Sequence, residues 1–308
     1  MKTKYEQHGA LSVNSKGQLT DCYGEVVQLR GYSTHGLSWY PEYVNRDFFS
    51  QMLEDWHIDI VRLAMYTAEE NGYCTGTKEN QEHLKDIIDR GVKAATELGL
   101  YIIIDWHILS DSNPLMHKEE SIAFFSEMAK KYHAYGNVFY EICNEPNVNC
   151  TWADIKSYAD TVIPVIRQYD ENAVILVGTP TWSQDVDDAV ANPLTGFENI
   201  MYVLHFYADS HRDELRKKMS LACESHLPLF VSEFGICNAN GTGAGNQEQA
   251  ALWISLMDQY KISYLMWSLS HRDESSASFK PDCTKVTGFF EEDLNDCAKW
   301  YLSVLSKK

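Results

Sequence analysis

Several things are scarce in this 308-residue chain, and each absence excludes something. No two of its eight cysteines form a CxxC pair, so zinc knuckles and dithiol redox motifs are excluded. Eight cysteines are also too few to scaffold a chain of this length, although Cys143 and Cys150 could bridge a loop. Cys143 lies within an apolar run, where a free thiol serves as a small hydrophobe. There is no HxH or HExxH pattern, and no metal or organic cofactor is expected. Positive charge is sparse: 26 Lys and Arg against 44 Asp and Glu leave a net charge of −18, which argues against a nucleic-acid partner. Apolar runs are short, so no membrane span is expected. The opening MKTKYEQHG has no apolar stretch and does not read as a signal peptide.

What is present is an alternation. Short apolar runs at 26–31, 59–65, 101–105, 138–142, 173–178, 200–207, 227–235 and 262–270 read as strands. Stretches with helical spacing separate them, at 46–56, 80–98, 121–132, 152–169, 185–191, 212–221, 247–260 and 293–305. Gly99 stops the second of these, and Pro164 is expected to kink the fourth. Eight β-α units in right-handed succession close into an α/β (β/α)8 TIM barrel, at about 26–306. Before it, ALSVNSKGQLTD reads as a β-hairpin, at about 9–22, with SKG as its turn and the barrel's lower end as its seat. No linker or repeat interrupts the rhythm, so one catalytic domain over 1–308 is expected.

Chemistry in such barrels gathers at the C-terminal ends of the strands. The first strand leads to His35, Trp39 and Tyr40; the second carries Arg62 and Tyr66; the third ends in Asp105, Trp106 and His107. The fourth ends in Asn144 and Glu145, the fifth leads to Thr181 and Trp182, and the sixth ends in His205 and Tyr207. The seventh ends in Glu233 and the eighth in Trp267. Arg62 can pair with Asp105 and serve the mouth as well. Any one tryptophan here could be core, but four at the mouth suggest flat apolar faces for sugar rings. Two glutamates across a barrel mouth suit glycosidic bond cleavage, one protonating the leaving oxygen and the other attacking the anomeric carbon. An acidic groove favours a neutral polysaccharide.

The motifs GYSTHGLSW (31–39), VRLAMY (61–66), IIDWHILSD (103–111), YEICNEPN (140–147), LHFYA (204–208), VSEFG (231–235) and YLMWSLSHRDESS (264–276) resemble glycoside hydrolase family 5, in its bacterial endoglucanase (cellulase) branch. The resemblance implies an endo-β-1,4-glucanase that retains configuration and needs no cofactor. It implies Glu145 as acid/base, Glu233 as nucleophile, Asn144 on the sugar 2-hydroxyl, and Arg62 holding Glu233 ionised. His107, His205 and Tyr207 would complete the polar cage. His35, Trp39, Tyr66 and Trp267 would line sugars on the non-reducing side, and Trp182 would stack on the leaving-group side. Relatives often carry a lysine after the last strand where this chain has His271 and Arg272, so His271 is a further candidate contact. A neutral β-glucan or cello-oligosaccharide partner, a monomer, and an extracellular or cell-surface location are implied with it. A β-mannanase or mixed-linkage or branched-glucan hydrolase of the same fold, and a non-catalytic carbohydrate-binding barrel, are the alternatives.

Overall fold

Parallel strands close on themselves in a ring, with helices outside. A computed structural model describes residues 2–307. In chain order the strands are β1 (Ser12–Val13), β2 (Leu19–Thr20), β3 (Arg30–Thr34), β4 (Ile60–Tyr66), β5 (Tyr101–His107), β6 (Val138–Glu141), β7 (Ile175–Val177), β8 (Ile200–Val203), β9 (Phe206–Tyr207), β10 (Leu229–Gly235) and β11 (Tyr264–Leu269). β1 and β2 form the expected antiparallel hairpin, turning at Gly17 with a left-handed φ of 74°. β3 through β11 pair in parallel, and β11 closes onto β3. β8 and β9 are two pieces of one barrel strand, both paired with β10, so the ring has the expected eight positions.

The two-residue period of a strand sorts its side chains into layers. Ile60, Ile103, Phe139, Leu176, Val203, Phe230 and Leu265 meet inside the ring in one apolar cluster, which Leu11 and Leu19 of the hairpin join. The hairpin therefore caps the barrel floor. Two residues further along β4, β5, β6 and β10 come Arg62, Asp105, Glu141 and Ser232, all fully buried. The interior thus changes from apolar to polar within one step of the pleat.

Outside, the helices bury apolar stripes against the ring. The helix Lys78–Leu98 is capped by the Thr77 side chain, which accepts from Asn80 N–H. It buries Leu84, Ile87, Ile88, Val92 and Ala95, and Gly99 ends it at φ 69°. The helix Trp152–Arg167 runs through Pro164 and ends two residues before the expected 169.

Two strands differ from expectation. The first barrel strand begins at Arg30, not at 26, because Val26 still bridges back to Thr20 of the hairpin. The sixth run, 200–207, is interrupted at Leu204 and His205, where His205 N–H turns to Ser183 O (2.8 Å). The final helix starts at Asp296, after a short 3-10 turn at Glu291–Asp293. Among the described residues no helix is long and apolar enough to cross a membrane. All eight cysteines, Cys143 and Cys150 included, are free.

Candidate active site

Arg62 is the centre of the polar layer. Its five N–H donors are all used. Nε and Nη2 grip Glu141 (2.8 and 3.1 Å), Nη2 also reaches Asn144 Oδ1 (2.6 Å), and Nη1 serves Glu233 and Ser33 (both 3.2 Å). Asp105 lies 3.0 Å from Nη2, so the arginine serves both as Asp105's partner and at the mouth. Burial works against the cation, but Asp105, Glu141 and Glu233 outweigh it and hold Arg62 protonated.

Glu233 reaches the mouth through a bulge. Between the pairs Val231–Tyr264 and Phe234–Met266, β10 carries one residue more than β11. Two successive side chains, Ser232 and Glu233, thereby bond to interior groups, as bulges beside active sites allow. Tyr207 donates to Glu233 Oε1 (2.8 Å). Gly235 makes room for that ring: a Cβ there would collide with Tyr207.

Glu145 stands on the loop after β6. The loop is pinned from the β7 side, where Gly178 N–H bonds Cys143 O (3.1 Å), Ser183 Oγ bonds Asn144 O (2.7 Å) and Trp182 N–H bonds Pro146 O (3.0 Å). Thr181, Trp182 and Ser183 all adopt the left-handed region (φ 57°, 54° and 55°), a strained conformation that turns Trp182 outward. His205 Nδ1 lies 2.9 Å from Glu145 Oε1. One ligand atom each from Glu145, His205 and Glu233 lies within 4.8 Å of the others, an arrangement that could also offer three donors to a divalent cation.

One guanidinium faces four carboxyls here, three of them in contact with it, and burial is the main influence on their protonation. Burial pushes Glu145 up to about 8, against Arg62 and with Asp105 and Glu141 adding. Burial and the Glu145 charge push Glu233 up to about 7, while His205, Arg62 and Tyr207 pull it down. Burial raises Asp105 to about 7, with Arg62 opposing. Arg62 thus moderates Glu233 without overcoming burial. The order is what matters: Glu145 keeps its proton to a higher pH than Glu233, because Glu233 has two donors that favour its anion. Burial lowers His205 to about 4 and His35 to about 3, so both rings are neutral near pH 7.

Above these groups lies a cavity of about 570 Å³. His35, Tyr66, His107, Glu145, Trp182, His205, Tyr207, Glu233 and Trp267 line it. His107 stacks on Trp267 with ring centroids 5.3 Å apart. Trp182 is 42% exposed. Asn144 is fully buried below the cavity, with its amide engaged by Arg62, Ile108 O (3.0 Å) and His107 Nε2 (3.2 Å); to reach a sugar hydroxyl it would exchange His107 for it. Trp39 is half-buried at the edge, packed on Tyr66 (4.7 Å). Trp106 belongs to the core, against Phe124 and Phe125. His271 turns away to the Tyr43 hydroxyl (2.7 Å), while its neighbour Arg272 lines the cavity, paired with Glu274 (3.0 Å).

Sequence reading passed over Glu141, and it placed Ser232 at the end of the seventh strand and Arg272 after the last without giving either a role. The first two carried a signal: Phe139 and Phe230 are apolar inward residues, so period two places Glu141 and Ser232 beside Arg62.

A parallel β-α barrel whose mouth sets two carboxyls that close, over one buried arginine, is the architecture of a barrel glycosidase. The chain belongs to the cellulase family, glycosyl hydrolase family 5, whose model matches residues 20–273. It is 47% identical over 308 residues to endoglucanase A of Butyrivibrio fibrisolvens, covering all of this chain and 70% of that protein. It is 44% identical to an endoglucanase of Clostridium saccharobutylicum, covering 90% of this chain and 61% of that protein. The crystal structure of the catalytic domain of Thermobifida fusca endoglucanase matches with a TM-score of 0.93 and 39% identity, over 99% of this chain and all of that domain.

Proposed function

We propose that the chain is an endo-β-1,4-glucanase that hydrolyses internal bonds of cellulose-type glucans with retention of configuration. The observation that carries it is the pair Glu145 and Glu233, which face each other across the cavity with one oxygen of each within 4.8 Å of the other, too close to leave the wider gap of an inverting pair. Retaining enzymes hold their carboxyls about 5–5.5 Å apart, whereas inverting enzymes leave about 6.5–9.5 Å for a water. The endoglucanase relatives supply the substrate class.

In this reading Glu233 attacks the anomeric carbon while Glu145 protonates the departing oxygen. A glycosyl-enzyme ester results. Its formation removes the Glu233 charge, which favours ionisation of Glu145, now the base that takes a proton from water. The water oxygen displaces Glu233, and the proton it loses restores Glu145. Tyr207 and Arg62 hold the nucleophile, and Trp182, Trp267, Tyr66 and His35 offer apolar faces to the sugars. Without a bound ester, kcat/KM is expected to be bell-shaped, its acid limb set mainly by Glu233 and its alkaline limb mainly by Glu145. The whole chain acts as one catalytic domain on a neutral glucan outside the cell.

Proton NMR of the first product is expected to show the β anomer; the α anomer first would overturn retention. Glu233→Ala should be inactive, and azide with an activated aryl β-glucoside should restore turnover as the α-azide. An α-azide absent there, with a β-azide absent from Glu145→Ala, would remove both assignments. Reducing-sugar release from carboxymethylcellulose, mixed-linkage glucan and mannan should favour the first; mannan as the best substrate would overturn the glucan reading.

A further inference from the structure

Two thiols meet beneath the loop that follows β10, and the reaction above uses neither. Cys237 stands just past Gly235, and Cys297 stands in the first turn of the final helix, Asp296–Leu305. Cys237 is fully buried and Cys297 nearly so, and their side chains share a hydrogen bond. Gly245 closes over them: a Cβ there would come within 3.0 Å of Cys297 Sγ. The loop between Cys237 and Gly245 is fixed by Ala239 N–H on Ser210 Oγ (2.9 Å) and by Ser276 N–H on Gly241 O (3.0 Å). Ala239, Asn240 and Gly241 line the catalytic cavity. The two sulfurs therefore sit at the root of one of its walls.

The pair is not symmetric. A further cavity, of about 300 Å³, is lined by Ile236, Gly243, Gly245, Asn295 and Cys297, but not by Cys237. A small molecule entering there meets one sulfur of the two. That sulfur is also the better nucleophile. The hydrogen bond from the Cys237 thiol draws Cys297 below the ordinary thiol range, against burial and the Asp296 charge. Cys297 also lies where backbone N–H groups at a helix start favour an anion. The same bond, with burial, keeps the proton on Cys237. Burial pushes Cys74, Cys150 and Cys223 up to about 12, so these remain thiols.

We propose that Cys237 and Cys297 form a modification site for hydroperoxides, which convert the pair into a disulfide tying the exit of β10 to the final helix. The inference does not depend on the reading of Glu145 and Glu233. The Cys297 thiolate attacks one oxygen of hydrogen peroxide; an S–O bond forms, the O–O bond breaks and hydroxide leaves. The hydroxide takes the Cys237 proton and becomes water. The Cys237 thiolate then attacks the Cys297 sulfenic sulfur; the S–S bond forms and the S–O bond breaks. The second hydroxide recovers the proton that Cys297 released on ionising. Two thiols lose two electrons, and one peroxide is reduced to two waters.

The test uses the full chain, reduced and then freed of reductant, with hydrogen peroxide as the probe. Peptide mapping without reduction should recover Cys237 and Cys297 in one cross-linked peptide, and dithiothreitol should restore both thiols. The oxidised chain should melt about 3–7 °C higher, because the bridge closes a long loop in the unfolded chain. Cys297→Ser should show no such rise. Dimedone should trap a sulfenic acid on Cys297 in Cys237→Ser, and should label Cys237 at least tenfold more slowly in Cys297→Ser. The proposal is overturned if peroxide leaves both thiols free, joins either one to another cysteine, or carries Cys297 to a sulfinic acid without a bridge. Faster dimedone labelling at Cys237, or an unchanged melting temperature in a chain that maps as bridged, would overturn it as well. Mapping of the wild-type chain decides even where a serine variant fails to fold.

Discussion

At the scale of single residues, the aromatics of the mouth divide by burial. Trp182 is 42% exposed on a strained left-handed turn, held out by backbone bonds to the Pro146 loop. A sugar covering that face should gain roughly 1–3 kcal/mol from apolar area and ring contact. Trp182→Ala is therefore expected to weaken cello-oligosaccharide turnover about 5- to 150-fold while the melting temperature stays nearly constant. Trp39, packed against Tyr66 and His35, should lose stability as well as turnover when truncated, because its ring supports two cavity walls. Thermal melts and oligosaccharide kinetics on both variants separate the cases; a large loss of stability in Trp182→Ala with unchanged kinetics would return it to the core. The tryptophans were visible in the sequence as residues at strand exits, but their exposure was not. Trp106 and Trp267 alike follow apolar runs, yet one faces the helices and the other the cavity. His271 and Arg272 are neighbours, and which of them turns inward depends on the Tyr43 hydroxyl, more than two hundred residues away in the chain.

At the scale of elements, β10 does most to shape the site. Its extra residue opposite β11 lets Ser232 and Glu233 both bond inward, which strict alternation forbids. Gly235, two residues on, leaves space for the Tyr207 ring. Gly235→Ala should push that ring off Glu233 and lower kcat at least tenfold, with a smaller change in KM; the outward helices should keep their circular dichroism. Unchanged kcat would mean that Tyr207 contributes nothing through its 2.8 Å bond. The alternation of strands and helices was legible from hydrophobic period alone. The bulge was not, since VSEFG reads as an unbroken strand. Nor was the break between β8 and β9: the run IMYVLHFY is continuous in hydrophobicity, and only a tertiary bond from His205 N–H to Ser183 O interrupts its pairing.

At the scale of the whole molecule, the site is a stability cost that depends on pH. In the fold Glu145 sits near about 8, against 4.5 for an ordinary glutamate. The folded chain then holds more protons than the unfolded one between those values. Stability from this source is complete below about 4.5, falls as pH rises, and is lost by about 8. Glu233, at about 7, has the same sign. Glu145→Gln removes the first of these, so its melting temperature should match wild type near pH 4 and exceed it by about 2–6 °C near pH 8. Calorimetric scans across that range check this, and a difference independent of pH would contradict it. Net charge and the list of carboxylates were readable in the sequence. The local ratio of one guanidinium to four carboxyls was not, because it needs four strands brought together.

The apolar floor beneath Arg62, sealed by Leu11 and Leu19 of the hairpin, has a further consequence. A polymer cannot thread this barrel from end to end. It has to lie sideways across the rim, so a strand can be seized anywhere along its length without a free terminus. Attack at random interior points shortens long molecules first. The viscosity of a soluble glucan should collapse while few new reducing ends have formed.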